Sequence, residues 1–193
     1  MKHRHLNIPR EEEFIGKGIY YCAVCDGAFF TGKDVALVGD ANSALQYALL
    51  LSNYCSKVTM VTMFDKFFGD KALIDAVKAR ENVEVISGYL TESIIGEEKF
   101  EGVKFRETNG EGTFELKTNA LFVAIGQVPD NKVFENVVEL DSSGFIISDE
   151  SCKTKTTGVY VAGDCRTKKI RQLTTASADG AIAALAASSY LDK

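Results

Sequence analysis

With 193 residues, 46% hydrophobic and 25% charged, the chain has the composition of a soluble globular protein and can bury one large core or two small ones. Its net charge is −5, and its basic stretches go no further than Lys2-His3-Arg4 and Lys168-Lys169-Ile170-Arg171; a nucleic-acid surface, which needs clustered lysine and arginine, is not expected. No apolar run approaches the ~20 residues that span a bilayer, and the polar stretch from Met1 to Glu13 has no signal-peptide apolar segment, so no membrane partner and a cytoplasmic location are expected.

The first chemistry-bearing segment in chain order is Cys22-Ala23-Val24-Cys25-Asp26-Gly27. Two thiols at this spacing lie on one side of a single helical turn, within reach of an S–S bond. If the pair opens a helix, its unpaired N–H groups stabilise a thiolate, and Asp26 adds a carboxyl that can give or take a proton during exchange. The segment therefore reads as a reversible dithiol/disulfide couple. Cys55, Cys152 and Cys165 stand apart among apolar or small neighbours and read as inert thiols. Cys22 and Cys25 also have zinc-ligand spacing, but no second close pair follows, and His3 and His5 fall in a terminus expected to be flexible, so no metal is expected.

A βαβ unit comes next. Asp34 to Val38 reads as a strand ending in Gly39, apolar residues recur at helical spacing from Ser43 to Tyr54, and Lys57 to Thr62 is a β-branched strand. A helix at about Lys71 to Arg80 and a strand at Val83 to Ser87 extend the alternation. From Tyr89 to Leu116 alternating residues with turns at Gly96, Gly102 and Asn109-Gly110 predict two or three antiparallel strands. Ala120 to Gly126 reads as a buried strand, Pro129-Asp130-Asn131 as a loop, Phe145 to Ser148 and Val159 to Ala162 as short strands, and Leu173 to Leu191 as an Ala-rich helix. The fold class is α/β: a three-layer Rossmann-like nucleotide-binding domain with an antiparallel β excursion, followed by the C-terminal part of a second domain.

Two strand-to-helix turns stand out. The Gly39 turn is where a helix N-terminus would meet a pyrophosphate, but Ala41 occupies the second position of the G-x-G-x-x-G/A pattern, with Ala44 at the third. Beyond the next strand, Thr62-Met63-Phe64-Asp65-Lys66-Phe67-Phe68 contains no arginine, and only Asp65 could serve a ribose. At the second turn, Gly163-Asp164 at a strand end precedes Arg171-Gln172 and a small-residue helix, an arrangement in which the aspartate can accept from a ribose or ribityl hydroxyl.

Taken together, Leu6-Asn7-Ile8-Pro9, Gly16-Lys17-Gly18, Cys22 to Gly27, the βαβ unit, Val123-Ala124-Ile125-Gly126 and Ala162-Gly163-Asp164…Arg171-Gln172 closely resemble the low-molecular-weight thioredoxin reductases over nearly the whole chain. The resemblance implies a nicotinamide-nucleotide domain inserted into an FAD domain of the Rossmann type. Here that means residues 6–126 as the inserted domain carrying the dithiol, 1–5 as a linker and 127–193 as the tail of the FAD domain. It also implies a homodimer, with electrons passing from FAD through Cys22 and Cys25 to thioredoxin. The exposed cysteine would attack thioredoxin's disulfide, and Asp26 would protonate the outgoing thiolate. Gly163, Asp164, Arg171, Gln172 and Leu173 would contact FAD. Gly39, Asn42, Ser43, Ala44, Asp65 and Gly126 would form the nicotinamide-nucleotide site.

Two departures qualify this. No G-x-G-x-x-G strand-turn-helix precedes Leu6, so the chain reads as a fragment without the FAD pyrophosphate site, expected to hold FAD poorly by itself. The family's basic motif for the 2′-phosphate falls on Thr62, Met63, Phe64 and Phe68, and bidentate arginine–phosphate contacts are not replaced by Met or Phe. NADPH is therefore disfavoured and ferredoxin, used by some family members, becomes a candidate donor. The apolar Met63-Phe64…Phe67-Phe68 stretch suits a protein partner or self-packing. The rival readings are a conventional NAD(P)H-dependent reductase, with Asp65 on a ribose favouring NADH, and a non-catalytic binding or dimerisation domain. A thioredoxin-like oxidoreductase would need a long helix after the dithiol, where Phe29-Phe30-Thr31-Gly32-Lys33 intervenes; the ferredoxin–NADP reductase branch would lack the dithiol.

Overall fold

The computed structural model describes residues 1–192. Two compact units emerge: Arg4–Gly126, and Met1–His3 together with the chain from Gln127 onward. In chain order the elements begin with β1 (Lys2–His3), α1 (Glu11–Phe14), β2 (Ile19–Tyr20) and α2 (Ala23–Asp26). Next come β3 (Asp34–Val38), α3 (Asn42–Leu51), β4 (Lys57–Thr62), α4 (Lys71–Lys78) and β5 (Val83–Ser87). Three further strands, β6 (Tyr89–Ile95), β7 (Gly102–Glu107) and β8 (Thr113–Lys117), precede β9 (Leu121–Val123), β10 (Gln127–Val128) and α5 (Leu173–Leu191).

In the Arg4–Gly126 unit, β2, β9, β3, β4 and β5 lie side by side in that order as a parallel sheet. Because side chains alternate across a strand, each strand feeds two cores. Val35 and Leu37 of β3, Val58 and Met60 of β4 and Phe122 of β9 face Ala44, Leu45, Ala48 and Leu51 of α3 and Val77 of α4. Ala36, Val38, Val61, Leu121 and Val123 face Val103 and Phe105 of the antiparallel sheet β6-β7-β8, with Phe114 and Leu116 packed against them. The antiparallel excursion is thus the third layer, and the parallel sheet is buried on both faces, as parallel sheets require. At about 1.5–3 kcal/mol for each fully buried Val, Leu or Phe, the two faces dominate this unit's stability.

Some elements are shorter than their sequence pattern suggests. The helix expected from Ser43 to Tyr54 ends at Leu51, where Ser52 donates back to Leu49 O at 2.8 Å, and the strand expected from Ala120 to Gly126 keeps only three ladder residues. The strands expected at Phe145–Ser148 and Val159–Ala162 are corrected to isolated bridges, Ile146 with Leu140 and Arg166, and Tyr160 with Lys153. Their backbone groups bond to loops instead, Ile146 N–H to Cys165 O at 3.0 Å and Val161 N–H to Cys152 O at 2.9 Å, so no ladder propagates. The expected loose N-terminus is also corrected: β1 pairs with β10, and Lys2 forms an ion pair with Asp130 at 2.8 Å.

In the unit from Gln127 onward, the single buried residue of α5 is a carboxylate, Asp179. It accepts two hydrogen bonds from Arg166, Nε and Nη2 at 2.8 Å each, one from Lys168 Nζ at 2.8 Å and one from Gly163 N–H at 3.0 Å. The Arg166 and Asp179 side chains are each 5% exposed, so this bidentate pair staples the Gly163 turn to α5. Hydrogen bonding from Arg166, then from Lys168 and Gly163, holds the Asp179 carboxyl far below its ordinary range against the opposing effect of burial. Because the folded-state value is depressed, the stabilisation is complete above the ordinary carboxylate value of about 4 and is lost as pH falls below it. Asp179→Asn should lower stability at pH 7 by about 3–5 kcal/mol, since it leaves buried cations uncompensated, and should flatten the acid limb of stability against pH. Denaturant melts between pH 3 and pH 7 check both.

Candidate functional site

The dithiol sits where β2 leaves the sheet. Cys22 is the N-cap of α2 in an extended conformation, and its sulfur, in place of the usual hydroxyl or carboxylate, accepts the Cys25 N–H at 3.1 Å. Asp26 N–H bonds to Cys22 O at 3.0 Å. Cys22 and Cys25 are joined in a disulfide with Cα atoms 5.3 Å apart, within the ordinary range. The short helix is anchored from beneath: Ala23 is buried, a Cβ on Gly27 would come 3.0 Å from Leu51 Cδ2 of α3, and Phe30 packs edge-on against Tyr20 and Phe122 at 5.2 and 5.7 Å. What remains outside is Cys25, exposed, with Cys22 and Asp26 half-buried. Val24, between the two cysteines, and Phe29, four residues after Cys25, are 76% and 74% exposed and add apolar surface to this segment. Such a pair, at a helix N-terminus and open to a partner, can cycle between disulfide and dithiol.

The remaining cysteines are elsewhere. Cys55 and Cys152 are buried; burial, then the nearby Asp34 charge, pushes the Cys55 thiol up to about 11, and burial also raises Cys152. Cys165 is half-buried, its sulfur 3.5 Å from Ala162 O.

The Gly39 turn lies at the carboxyl ends of β3 and β4, beside a cleft of about 350 Å³. Gly39 has φ +141°, and a Cβ there would collide with the Ala124 carbonyl and the Ala44 methyl, so packing alone demands glycine. Of the residues expected at a nucleotide, only Gly39 lines the cleft. Ala44 is buried in the helix-side core, Asp65 is exposed, and Gly126 at φ +100° accepts the Arg4 N–H at 3.0 Å. Ser43 is exposed in the first turn of α3. Asn42 is bound to Asp70, donating Nδ2 to Asp70 Oδ2 at 3.0 Å and accepting Asp70 N–H at 2.7 Å. Phe68 N–H bonds to Asp40 O at 2.7 Å, so the β4–α4 loop folds onto the turn. The apolar stretch divides: Met63, Phe64 and Phe68 are exposed, with Phe64 edge-on to Phe68 at 5.1 Å, while Phe67 packs into the helix-side core. The cleft is lined with Arg4, Asp40 and Tyr89 as well as apolar groups that include Met63 and Phe64; the three polar residues were not among those expected at a nucleotide. Burial raises the Asp40 carboxyl above its ordinary value.

At the Gly163 turn, Gly163 has φ +88°, Asp164 Oδ1 is buried without a hydrogen-bond partner, and Arg171 donates Nε to Asp164 O at 3.2 Å while its guanidinium lies 4.0 Å from the Phe145 ring centre. Gln172 is the N-cap of α5, and Leu173, first in the helix, is 84% exposed. These five residues are therefore gathered at one turn and one helix start.

Known proteins share this fold. A family profile described as pyridine nucleotide-disulphide oxidoreductase matches residues 1–180. The thioredoxin reductase of Treponema pallidum is 38% identical over 99% of the chain, which covers 62% of that protein. Among solved structures, Lactococcus lactis thioredoxin reductase in its FR conformation superposes with a TM-score of 0.92 at 32% identity, over 98% of this chain and 63% of that one. A ferredoxin-flavin thioredoxin reductase from Clostridium acetobutylicum matches with a TM-score of 0.52 at 27% identity, over 100% of this chain and 61% of that one. The chain thus spans about three-fifths of the length of the curated relatives it matches. With its paired cysteines capping a helix beside a two-sided parallel sheet, it belongs to the pyridine nucleotide-disulphide oxidoreductase family.

Proposed function

We propose that the chain carries the redox-active dithiol of a thioredoxin reductase-type flavoprotein, passing electrons from FAD through Cys22 and Cys25 to the disulfide of thioredoxin. The observation that carries this reading is the Cys22–Cys25 disulfide at the start of α2, with Cys25 and the apolar Val24 and Phe29 exposed beside it. In this reading Arg4–Gly126 is the nicotinamide-nucleotide-type domain, and the chain from Gln127 onward is part of an FAD-binding domain. The buried, unpartnered Asp164 Oδ1 suits a flavin hydroxyl. The exposed start of α5 at Gln172 and Leu173, and Arg171 beside Asp164, suit the rest of an FAD contact at Gly163. FAD, when bound, supplies the electron pair that opens the disulfide.

The steps on this chain's own residues balance. Two electrons and two protons convert Cys22–Cys25 to two thiols. One gives its proton to Asp26 and, as thiolate, attacks a sulfur of the thioredoxin disulfide; a mixed disulfide forms, the other thioredoxin sulfur leaves as thiolate, and Asp26 hands it the proton. The second cysteine then attacks the mixed disulfide, re-forms Cys22–Cys25 and releases thioredoxin as a dithiol. Helix α2 favours the thiolate because the Cys25 N–H points at the Cys22 sulfur.

The reductant in this reading is not NADPH. Among the described residues Arg4 is the one arginine lining the cleft beside Gly39, Met63 and Phe64 stand where a 2′-phosphate would need guanidinium groups, and Asn42 is occupied by Asp70. Ferredoxin is the favoured donor, given the ferredoxin-linked neighbour and the exposed Met63, Phe64 and Phe68. A second reading, a conventional NAD(P)H-dependent reductase, draws on the persistence of the cleft itself. The three unpaired cysteines suit a reducing cytoplasm, and a homodimer follows the family pattern.

Anaerobic mixing of the FAD-supplied protein with NADPH, NADH and reduced ferredoxin, read by flavin absorbance and by thiol release at Cys22 and Cys25, tests the donor. Ferredoxin alone should reduce the dithiol; rapid reduction by NADPH would overturn this assignment. Cys22→Ser or Cys25→Ser should drop thioredoxin-disulfide reduction to the uncatalysed background, because neither single thiol can complete the exchange.

A further inference from the structure

The segment before the dithiol contains a buried charge that the exchange steps leave unused. Glu11, the first residue of α1, is 3% exposed, and a buried carboxylate persists only when its oxygens are satisfied. Oε1 accepts the Leu6 N–H at 2.8 Å, Oε2 accepts the Asn7 N–H at 2.7 Å, and the Tyr21 hydroxyl donates to Oε1 in a short hydrogen bond. The two backbone donors belong to a turn in which Asn7 and Arg10 both have left-handed φ, 58° and 64°, a conformation costly for residues with a Cβ and sustained by such contacts. The third donor is the residue immediately before Cys22.

Tyr21 is restrained on three sides. Its hydroxyl is held by Glu11, its ring stacks on His5 at 5.3 Å, and its carbonyl accepts the Tyr47 hydroxyl of α3 at 3.3 Å. Burial, followed by the hydrogen bond to Glu11, holds the Tyr21 phenol well above its ordinary value, so the phenol remains the donor throughout the working pH range. The peptide that follows leads into Cys22, whose extended backbone (φ −130°, ψ 95°) aims its sulfur at the Cys25 N–H.

From this geometry we infer that Glu11 and Tyr21 are positioning residues for the dithiol: their part-buried hydrogen bond holds Cys22 in the N-cap conformation that lets its thiolate accept the Cys25 N–H. The inference rests on the reading of Cys22–Cys25 as a redox couple and adds what keeps its reduced form reactive. Both act on Cys22 through the backbone that leads into it. Releasing Tyr21 lets the Cys22 backbone rotate away from the cap, and the thiolate loses its Cys25 N–H donor.

The test is the pH dependence of Cys22 alkylation by iodoacetamide in the reduced protein, followed by peptide mass spectrometry so that the other cysteines do not contribute. In Tyr21→Phe, which keeps the ring on His5, the midpoint should rise by about one pH unit, so that alkylation at pH 6 slows about tenfold. Glu11→Gln should shift it the same way, and the double variant no further than the larger single effect, because both residues act through one hydrogen bond. The direction in Glu11→Gln separates positioning from charge: if Glu11 acted only through its field, removing the charge would lower the midpoint, and that result overturns the proposal. So does an unshifted profile in Tyr21→Phe, whatever becomes of the melting temperature, and Tyr21→Phe carries the test if Glu11→Gln does not fold. A parent protein in which Cys22 can be neither reduced nor alkylated overturns the redox reading together with the proposal.

Discussion

Burial of the parallel sheet on both faces is the constraint from which the dithiol unit follows. With α3 and α4 covering one side and the antiparallel strands the other, the strand ends are the places left where polar chemistry can reach solvent. Gly39 is forced at one such end because β3, β9 and α3 converge there. The dithiol occupies another, at the end of β2, and the same core that receives Phe122 also receives Ala23 and Phe30. Cys25 is exposed and Cys22 half-buried, but the turn that carries them is part of the core.

That arrangement reconciles reactivity with order. A disulfide that opens and closes must keep its two sulfurs near one another in both states, and a four-residue helix has little stability of its own. Here tertiary contacts supply it: aromatic packing beneath α2, the close approach of Gly27 to α3, and the Glu11–Tyr21–Tyr47 restraints on its entry. The Gly163 turn follows a related logic, with a buried Arg166–Asp179 pair fixing the backbone next to Asp164.

The β3–α3–β4–α4–β5 run and the three antiparallel strands were legible in the sequence because both are governed by short periods, 3.6 and 2 residues, that survive without knowledge of partners. The dithiol was legible as a spacing. Glu11 was not, since it stands in a run of three glutamates and only the tertiary turn distinguishes it from Glu12 and Glu13. Asp179 is visible as an isolated carboxylate in a helix of small residues, but its partners lie 11, 13 and 16 positions away, outside any local pattern. The segments at Phe145 and Val159 have strand-like composition, yet strand identity depends on what pairs with them, and they pair one residue at a time. Met63, Phe64, Phe67 and Phe68 read as one apolar group, whereas the loop turns Phe67 inward and leaves Phe64 and Phe68 out.

The central claim is that Cys22–Cys25 is a working couple matched to thioredoxin rather than a structural cross-link. The most direct measurement equilibrates the protein with thioredoxin at defined dithiol-to-disulfide ratios and counts the Cys22 and Cys25 thiols after acid quenching. The account predicts exchange within the experiment and a midpoint near thioredoxin's own potential of about −270 mV. A Cys22–Cys25 disulfide that stays closed against a large excess of reduced thioredoxin, as a structural bond below about −300 mV would, would contradict it.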